Sequence, residues 1–214
     1  MWIGIYNPKG VGDVLMLTRG ELDKKQLAWE TMAGITRLYN RDTDETMGYN
    51  FHDVSKEISL EGQGQVELSQ SQLDTLNQRL YEQGFETIEL NTDSRLVVGE
   101  VKTCVPHENS DHLSITETEY APGKTAQIVC GAANVRAGMK VVVALPGAVM
   151  PDGLVIWPGE LRGVKSKGML CSQYELGLDP EHRIKGIAEV KANIEVGTPF
   201  NQLTSVSFVS GEDE

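Results

Sequence analysis

Three cations fall within six residues late in the chain, Arg162, Lys165 and Lys167. In an extended strand Lys165 and Lys167 project to the same side, because strand side chains alternate with a period of two. Two ammonium groups so placed suit neighbouring phosphates, and phosphate affinity comes mainly from lysine and arginine displacing counterions. Gly163 and Gly168 in the same run let backbone approach a sugar-phosphate chain, while the Ser166 hydroxyl can donate to a phosphate or a 2′-OH. Met169 offers an apolar surface to a base or ribose. Arg136 supplies a further phosphate contact, beside Asn134, in the loop that follows the apolar run Ala126 to Cys130.

No other chemistry is legible. The carboxylates and histidines show no motif-level pairing for nucleophilic or acid-base work, so no catalytic residue, cofactor or metal is expected. Asp42, Asp44 and Glu45 lie close together, a pattern that reads as a solvated loop rather than a cation site. His107 and His182 read as surface histidines in loops. Cys104, Cys130 and Cys171 are odd in number and contain no CxxC, which predicts reduced, buried thiols instead of a disulfide framework or structural zinc.

Composition narrows the classes further. At 214 residues, 40% of them hydrophobic, the chain is long enough for two modest domains, each with its own core. No stretch approaches the roughly 18 apolar residues of a membrane span, and the start lacks the basic then apolar run of a signal peptide. A soluble, cytoplasmic protein is expected. The net charge of −12 is awkward for a phosphate binder, but it is unevenly spread. Residues 1 to 94 carry 8 Lys and Arg against 16 Asp and Glu, whereas residues 95 to 200 carry 11 against 12. A basic face in the second half must therefore be local, with binding that is weak and strongly salt-sensitive.

The elements that must position these residues form two groups. Met1 to Tyr6 and Val11 to Leu17, joined by the turn-forming Asn7 to Gly10, predict a hairpin. Ile35 to Asn40 and Thr46 to Asp53 predict a second strand pair. A helix is predicted over Gln70 to Gln83, where Leu73, Leu76 and Leu80 share a face, Ser69 and Gln72 form a capping box, and Gly84 takes the C′ position. This makes residues 1–90 an acidic α+β domain whose role is not legible, ending at the polar linker Asn91 to Ser94. From Arg95 the pattern becomes short strands with frequent glycine: Leu96 to Val105, Leu113 to Tyr120, Ala126 to Cys130, Lys140 to Leu145, Leu154 to Trp157 and Glu160 to Val164. That composition predicts an all-β OB-fold barrel over residues 95–200.

Three blocks of this second segment together resemble the tRNA-binding domain at the amino end of the bacterial phenylalanyl-tRNA synthetase β chain. The first joins Val97-Val98-Gly99-Glu100-Val101 to Pro106-His107-Glu108-Asn109-Ser110-Asp111-His112-Leu113. The second runs from Ile128-Val129-Cys130-Gly131-Ala132-Ala133-Asn134-Val135-Arg136-Ala137-Gly138 through Val141 to Ala148. The third is Leu161-Arg162-Gly163-Val164-Lys165-Ser166-Lys167-Gly168-Met169-Leu170-Cys171-Ser172, followed by Glu175-Leu176-Gly177-Leu178. Their order and spacing are more specific than any one block and cover about half the chain. With an acidic domain ahead of it and no synthetase body behind, the whole chain is most similar to the stand-alone YtpR-type tRNA-binding proteins.

The resemblance implies an OB fold that grips the outer corner of folded tRNA, carries no synthetase chemistry and often works as a homodimer. It also implies RNA contact through the Ser-x-Gly-Met unit, here Ser166 and Met169, whereas Lys165 and Lys167 occupy positions the motif leaves variable. Relatives commonly have His-Pro-Asn-Ala-Asp-Lys-Leu where this chain has His107-Glu108-Asn109-Ser110-Asp111-His112-Leu113. His112 thus replaces an expected lysine at the candidate RNA surface, which weakens binding or makes it pH-dependent. Two further readings compete: a binder of unstructured strands, for which Tyr120 and Trp157 are the stacking candidates, and a protein-interaction or assembly module that has lost RNA binding.

Overall fold

Several strand and helix boundaries in the first unit follow from local chemistry. In the computed structural model, which describes residues 2–21, 23–60, 64–89 and 94–209, the chain divides into two units, Met1–Thr92 and Asp93–Glu214. The first unit holds strands β1 (Ile3–Tyr6), β2 (Val14–Thr18), β3 (Leu27–Met32), β4 (Ile35–Asn40), β5 (Thr46–His52) and β6 (Gly64–Val66). They form one antiparallel sheet in the order β3-β4-β5-β2-β1-β6. The predicted hairpin turn is a single helical turn, α1 (Pro8–Val11), capped by the Asn7 side chain, which accepts from Gly10 N at 3.1 Å.

The long helix α2 (Gln70–Glu82) starts at the expected capping box: Ser69 Oγ accepts from Gln72 N, and Gln72 Oε1 accepts from Ser69 N. Gly84 follows it at φ +73°, the left-handed conformation a helix end favours. Leu73, Leu76 and Leu80 sit with Leu15, Leu17, Tyr49 and Phe51 in one buried cluster, so the apolar stripe of the helix closes one face of the sheet. Among the described residues sheet outweighs helix in this unit. Strand β3 was not legible in the sequence. As an edge strand it buries neither face well, and its turn to β4 uses Ala33 at φ +46° ahead of Gly34, where an asparagine or glycine would signal the reversal. Of the expected linker, Asn91 to Asp93 lie outside the described residues.

The second unit is almost entirely β, with strands β7 (Leu96–Pro106), β8 (Ser114–Ala121), β9 (Lys124–Cys130), β10 (Lys140–Ala144), β11 (Gly159–Leu161), β12 (Val164–Ser166) and β13 (Met169–Leu170). Five of them make a curled antiparallel sheet in the order β13-β10-β7-β8-β9, and β11 with β12 forms a separate hairpin. The bend falls in β7, whose register against β8 shifts between Val101 and Thr103. Gly99, just before it, lies where a Cβ would come within 2.5 Å of Val143 Cγ2 and 2.9 Å of the Glu119 carbonyl. The sheet curls until its edges approach: Lys167 N donates to the Gln127 carbonyl of β9, while Leu170 pairs with Val143 of β10. This curled half-barrel is consistent with an OB-like fold.

Strand β10 from Val141 and the first half of β7, Val97 to Gly99, are buried on both faces, which explains their apolar runs, whereas β7 beyond Val101 is largely exposed. Val97, Val101, Val141 and Val143 belong to one buried cluster, and Val98, Val142 and Ala144 to a second that also holds Cys171, Leu176, Val190 and Phe208. Two expected strands need correction. Leu154 to Trp157 contributes only an isolated bridge between Val155 and Val149. Glu160 to Val164 is not one strand but the hinge of the β11–β12 hairpin, because the chain reverses at Arg162 (φ +47°) and Gly163 (φ +86°). An arginine in the left-handed region is uncommon and gave the sequence no turn signal.

Candidate nucleic-acid interface

The β11–β12 hairpin is stitched to both other motif blocks. His107 is only 2% exposed, a correction to its reading as a surface histidine. Its Nδ1 accepts from Asn109 N at 3.0 Å, which leaves the proton on Nε2, 3.2 Å from the Leu161 carbonyl. Arg162 Nη1 donates to the Asn109 carbonyl at 3.0 Å. The loop His107 to Leu113 and the hairpin tip are therefore held together from both sides. The second block is joined through β9: Val129 N donates to Ser166 Oγ at 3.1 Å, and Gln127 Nε2 donates to the Lys165 carbonyl at 2.7 Å. Gln127 had no sequence signal, since an amide in a strand names no partner.

Around this seam the side chains divide by exposure. Lys165 and Lys167 are exposed while Ser166 between them is 4% exposed, as strand alternation requires. Arg162 is exposed at the hairpin tip. Among the described residues none of these three cations lies within 4 Å of a carboxylate, although Glu160 is the cross-strand neighbour of Lys165. Their charge is thus available to an external anion. Ser166 has its hydroxyl committed inside the protein, accepting from Val129 N and donating to the Gly168 carbonyl at 3.1 Å. Met169 is half-buried, packed against the second cluster of the unit.

The remaining sequence candidates are partly engaged. Asn134 pairs both ends of its amide with Ile187, donating to the carbonyl at 3.0 Å and accepting from the backbone N at 2.9 Å, so it fastens the segment around Ile187 like a strand neighbour. Arg136 makes a two-pronged ion pair with Glu189 at 2.7 and 3.0 Å. His112 is exposed on its loop, with Nδ1 2.9 Å from Asp111 Oδ1, and that hydrogen bond holds the Asp111 carboxyl below the usual carboxylate range. The three cysteines are free; burial pushes the Cys130 and Cys171 thiols up, keeping them neutral.

Beside the hairpin lies an open groove of about 480 Å³, walled by Cys130, Ala132 and Asn134 from the second block and Met169, Leu170 and Ser172 from the third, with Glu175 and Lys185 at its side. Glu175 folds back on its own turn, accepting from Ser172 N at 2.7 Å and from Ser172 Oγ at 2.8 Å. Among the described residues no group of three or more His, Cys, Asp and Glu is arranged to hold a metal ion. No described helix is long and apolar enough to cross a membrane.

A family model described as "Putative tRNA binding domain" matches residues 96–199, and one described as "Domain of unknown function (DUF4479)" matches residues 22–93. The second unit thus falls in the class of tRNA-binding domains. The "Putative tRNA-binding protein YtpR" of Bacillus subtilis is 40% identical over 196 residues, covering 91% of this chain and 97% of its relative. The chain belongs to the YtpR family. Phenylalanine–tRNA ligase β subunits share the second unit: that of Chromobacterium violaceum is 49% identical over 104 residues, 49% of this chain and 13% of its own. That of Campylobacter jejuni (strain RM1221) is 48% identical over 113 residues, 52% of this chain and 14% of its own. The chain therefore spans only a small part of these ligase subunits.

Proposed function

We propose that this protein binds folded tRNA without catalysis, through a cationic ridge of Lys165, Lys167 and Arg162 on an OB-fold barrel spanning residues 95–200. The observation that carries the reading is the exposed lysine pair, with no carboxylate among the described residues within 4 Å and borne on a hairpin tied to both other motif blocks. Lys165 and Lys167 engage successive phosphates, Arg162 a third at the hairpin tip, and Met169 lies against a ribose or base at the mouth of the groove. Ser166 and Asn134 act by shaping this surface, since their polar atoms are satisfied within the protein. His112 borders the site through the loop that His107 ties down, and Arg136 reaches RNA only by exchanging Glu189 for a phosphate. The acidic α+β domain of residues 1–90 is assigned no role in this contact, and a cytoplasmic homodimer is the expected form.

Filter binding of bulk tRNA between about 50 and 200 mM salt tests the reading. If about four phosphates are neutralised, log affinity falls with log salt at a slope of roughly −3 to −3.6, an overall loss on the order of a hundred-fold. Reversing charge with Lys165→Glu and Lys167→Glu flattens that slope and abolishes most of the affinity, and folded tRNA outcompetes an unstructured oligomer of equal length. A salt-independent affinity in the unaltered protein removes the proposal.

A further inference from the structure

The excursion between Cys171 and Ile187 carries a feature that the cationic ridge does not use. Tyr174, 49% exposed, stacks on His182 with ring centroids 4.6 Å apart and planes inclined by 21°. The excursion is built rather than draped. Leu176 is buried in the core, Gly177 N donates to the Tyr174 carbonyl, and Leu178 N and Asp179 N both donate to the Gln173 carbonyl. Asp179, 3% exposed, accepts from Ile184 N at 2.7 Å on its side chain and from His182 N at 3.0 Å on its carbonyl. This fixes His182 at φ +53°, a conformation that a histidine seldom adopts and that the surrounding turn must hold in place.

A ring pair that served only the core would be buried, yet this one faces solvent. The same excursion feeds Glu175, next to Tyr174, and Lys185, three residues beyond His182, into the wall of the groove beside the ridge. The two aromatics considered in the strands are less available: Tyr120 packs against the barrel core and Trp157 is half-buried. We propose that Tyr174 and His182 form a stacking platform on which one unpaired nucleobase of the bound RNA lies, with Lys185 beside it to meet the adjoining phosphate. Aromatic faces accept any base, so the platform adds affinity for an extruded or looped nucleotide without reading sequence. The inference rests on the tRNA-binding reading and extends its contact surface beyond the ridge and Met169 to a stacked base.

The test compares Tyr174→Ala and Tyr174→Phe in the full chain, using bulk tRNA across about 50 to 200 mM salt, with circular dichroism melting as the folding control. Loss of one stacked base weakens Tyr174→Ala by roughly 5- to 150-fold. The salt slope stays that of the unaltered protein because no phosphate contact is lost, and Tyr174→Phe binds within about twofold of it. A crosslink from tRNA carrying 5-iodouridine to Tyr174 supplies a second, independent readout. Unchanged affinity in Tyr174→Ala overturns the platform while leaving the tRNA reading intact. So does an equal loss in Tyr174→Phe, which would assign the contact to the hydroxyl. Absence of tRNA binding by the unaltered protein at every salt concentration removes the reading and the platform together.

Discussion

Ser166 stands between two exposed lysines, yet its own hydroxyl points inward and is used twice, by Val129 N and by the Gly168 carbonyl. Replacing it by alanine leaves the buried Val129 N–H without a partner, and such a loss costs about 1–3 kcal/mol. Ser166→Ala is therefore expected to lower the denaturation midpoint of the second unit by an amount in that range, measured by chemical unfolding. Its RNA affinity falls only as far as the hairpin loosens, whereas charge reversal at Lys165 and Lys167 removes affinity with little change in stability. The ladder of adjacent residues thus separates shape from contact. Residue types alone could not: a serine in a motif reads equally as a ligand to phosphate or as a tie between strands, and only its 4% exposure decides.

Segment 166–170 is the element that brings the sheet edges together, and Gly168 is its most constrained position. Its φ of +138° is open to glycine alone at low cost, and a Cβ there would stand 2.6 Å from the Ala144 carbonyl of β10. Gly168→Ala is expected to destabilise the second unit by about 1–3 kcal/mol, read as a lowered melting temperature, with Met169 displaced from the groove. The helix α2 shows the opposite case, in which local chemistry suffices: capping box, leucine stripe and terminal glycine are contiguous in sequence and appear as expected. The β11–β12 hairpin differs from the single expected strand Glu160 to Val164 because its turn pairs a left-handed arginine with glycine. Strand β3 carries no sequence signal because an edge strand lacks the one-sided burial that writes alternation into a sequence.

At the scale of the molecule, each unit has a separate core, so damage to one should be distinguishable from damage to the other. Leu80 is fully buried in the first unit and Leu170 nearly so in the second. Truncating either to alanine costs roughly 2–5 kcal/mol. Calorimetry is expected to show Leu80→Ala shifting one transition with tRNA affinity unchanged, and Leu170→Ala shifting the other while weakening tRNA binding, because Leu170 seats β13 beside Met169. Equal loss of tRNA binding in both variants would contradict the assignment of RNA contact to the second unit. The acid excess of residues 1–94 argues the same way, since a region with twice as many acids as bases repels phosphate.

Sequence alone determined four of the strand segments of the second unit, the helix with both its caps, and the family, because each is written in contiguous residues or in blocks of fixed spacing. It also picked out Lys165 and Lys167, whose exposure follows from a period of two. Tertiary structure decided what depends on partners distant in the chain. It buried His107 between the Leu161 carbonyl and Asn109 N, and turned Asn134 into a clasp for Ile187 across 53 positions. It also laid His182 over Tyr174 through the turn held by Asp179. Hydrogen bonds and ring contacts of this kind are specific to geometry rather than to residue type, and geometry is fixed only when the sheet curls and closes.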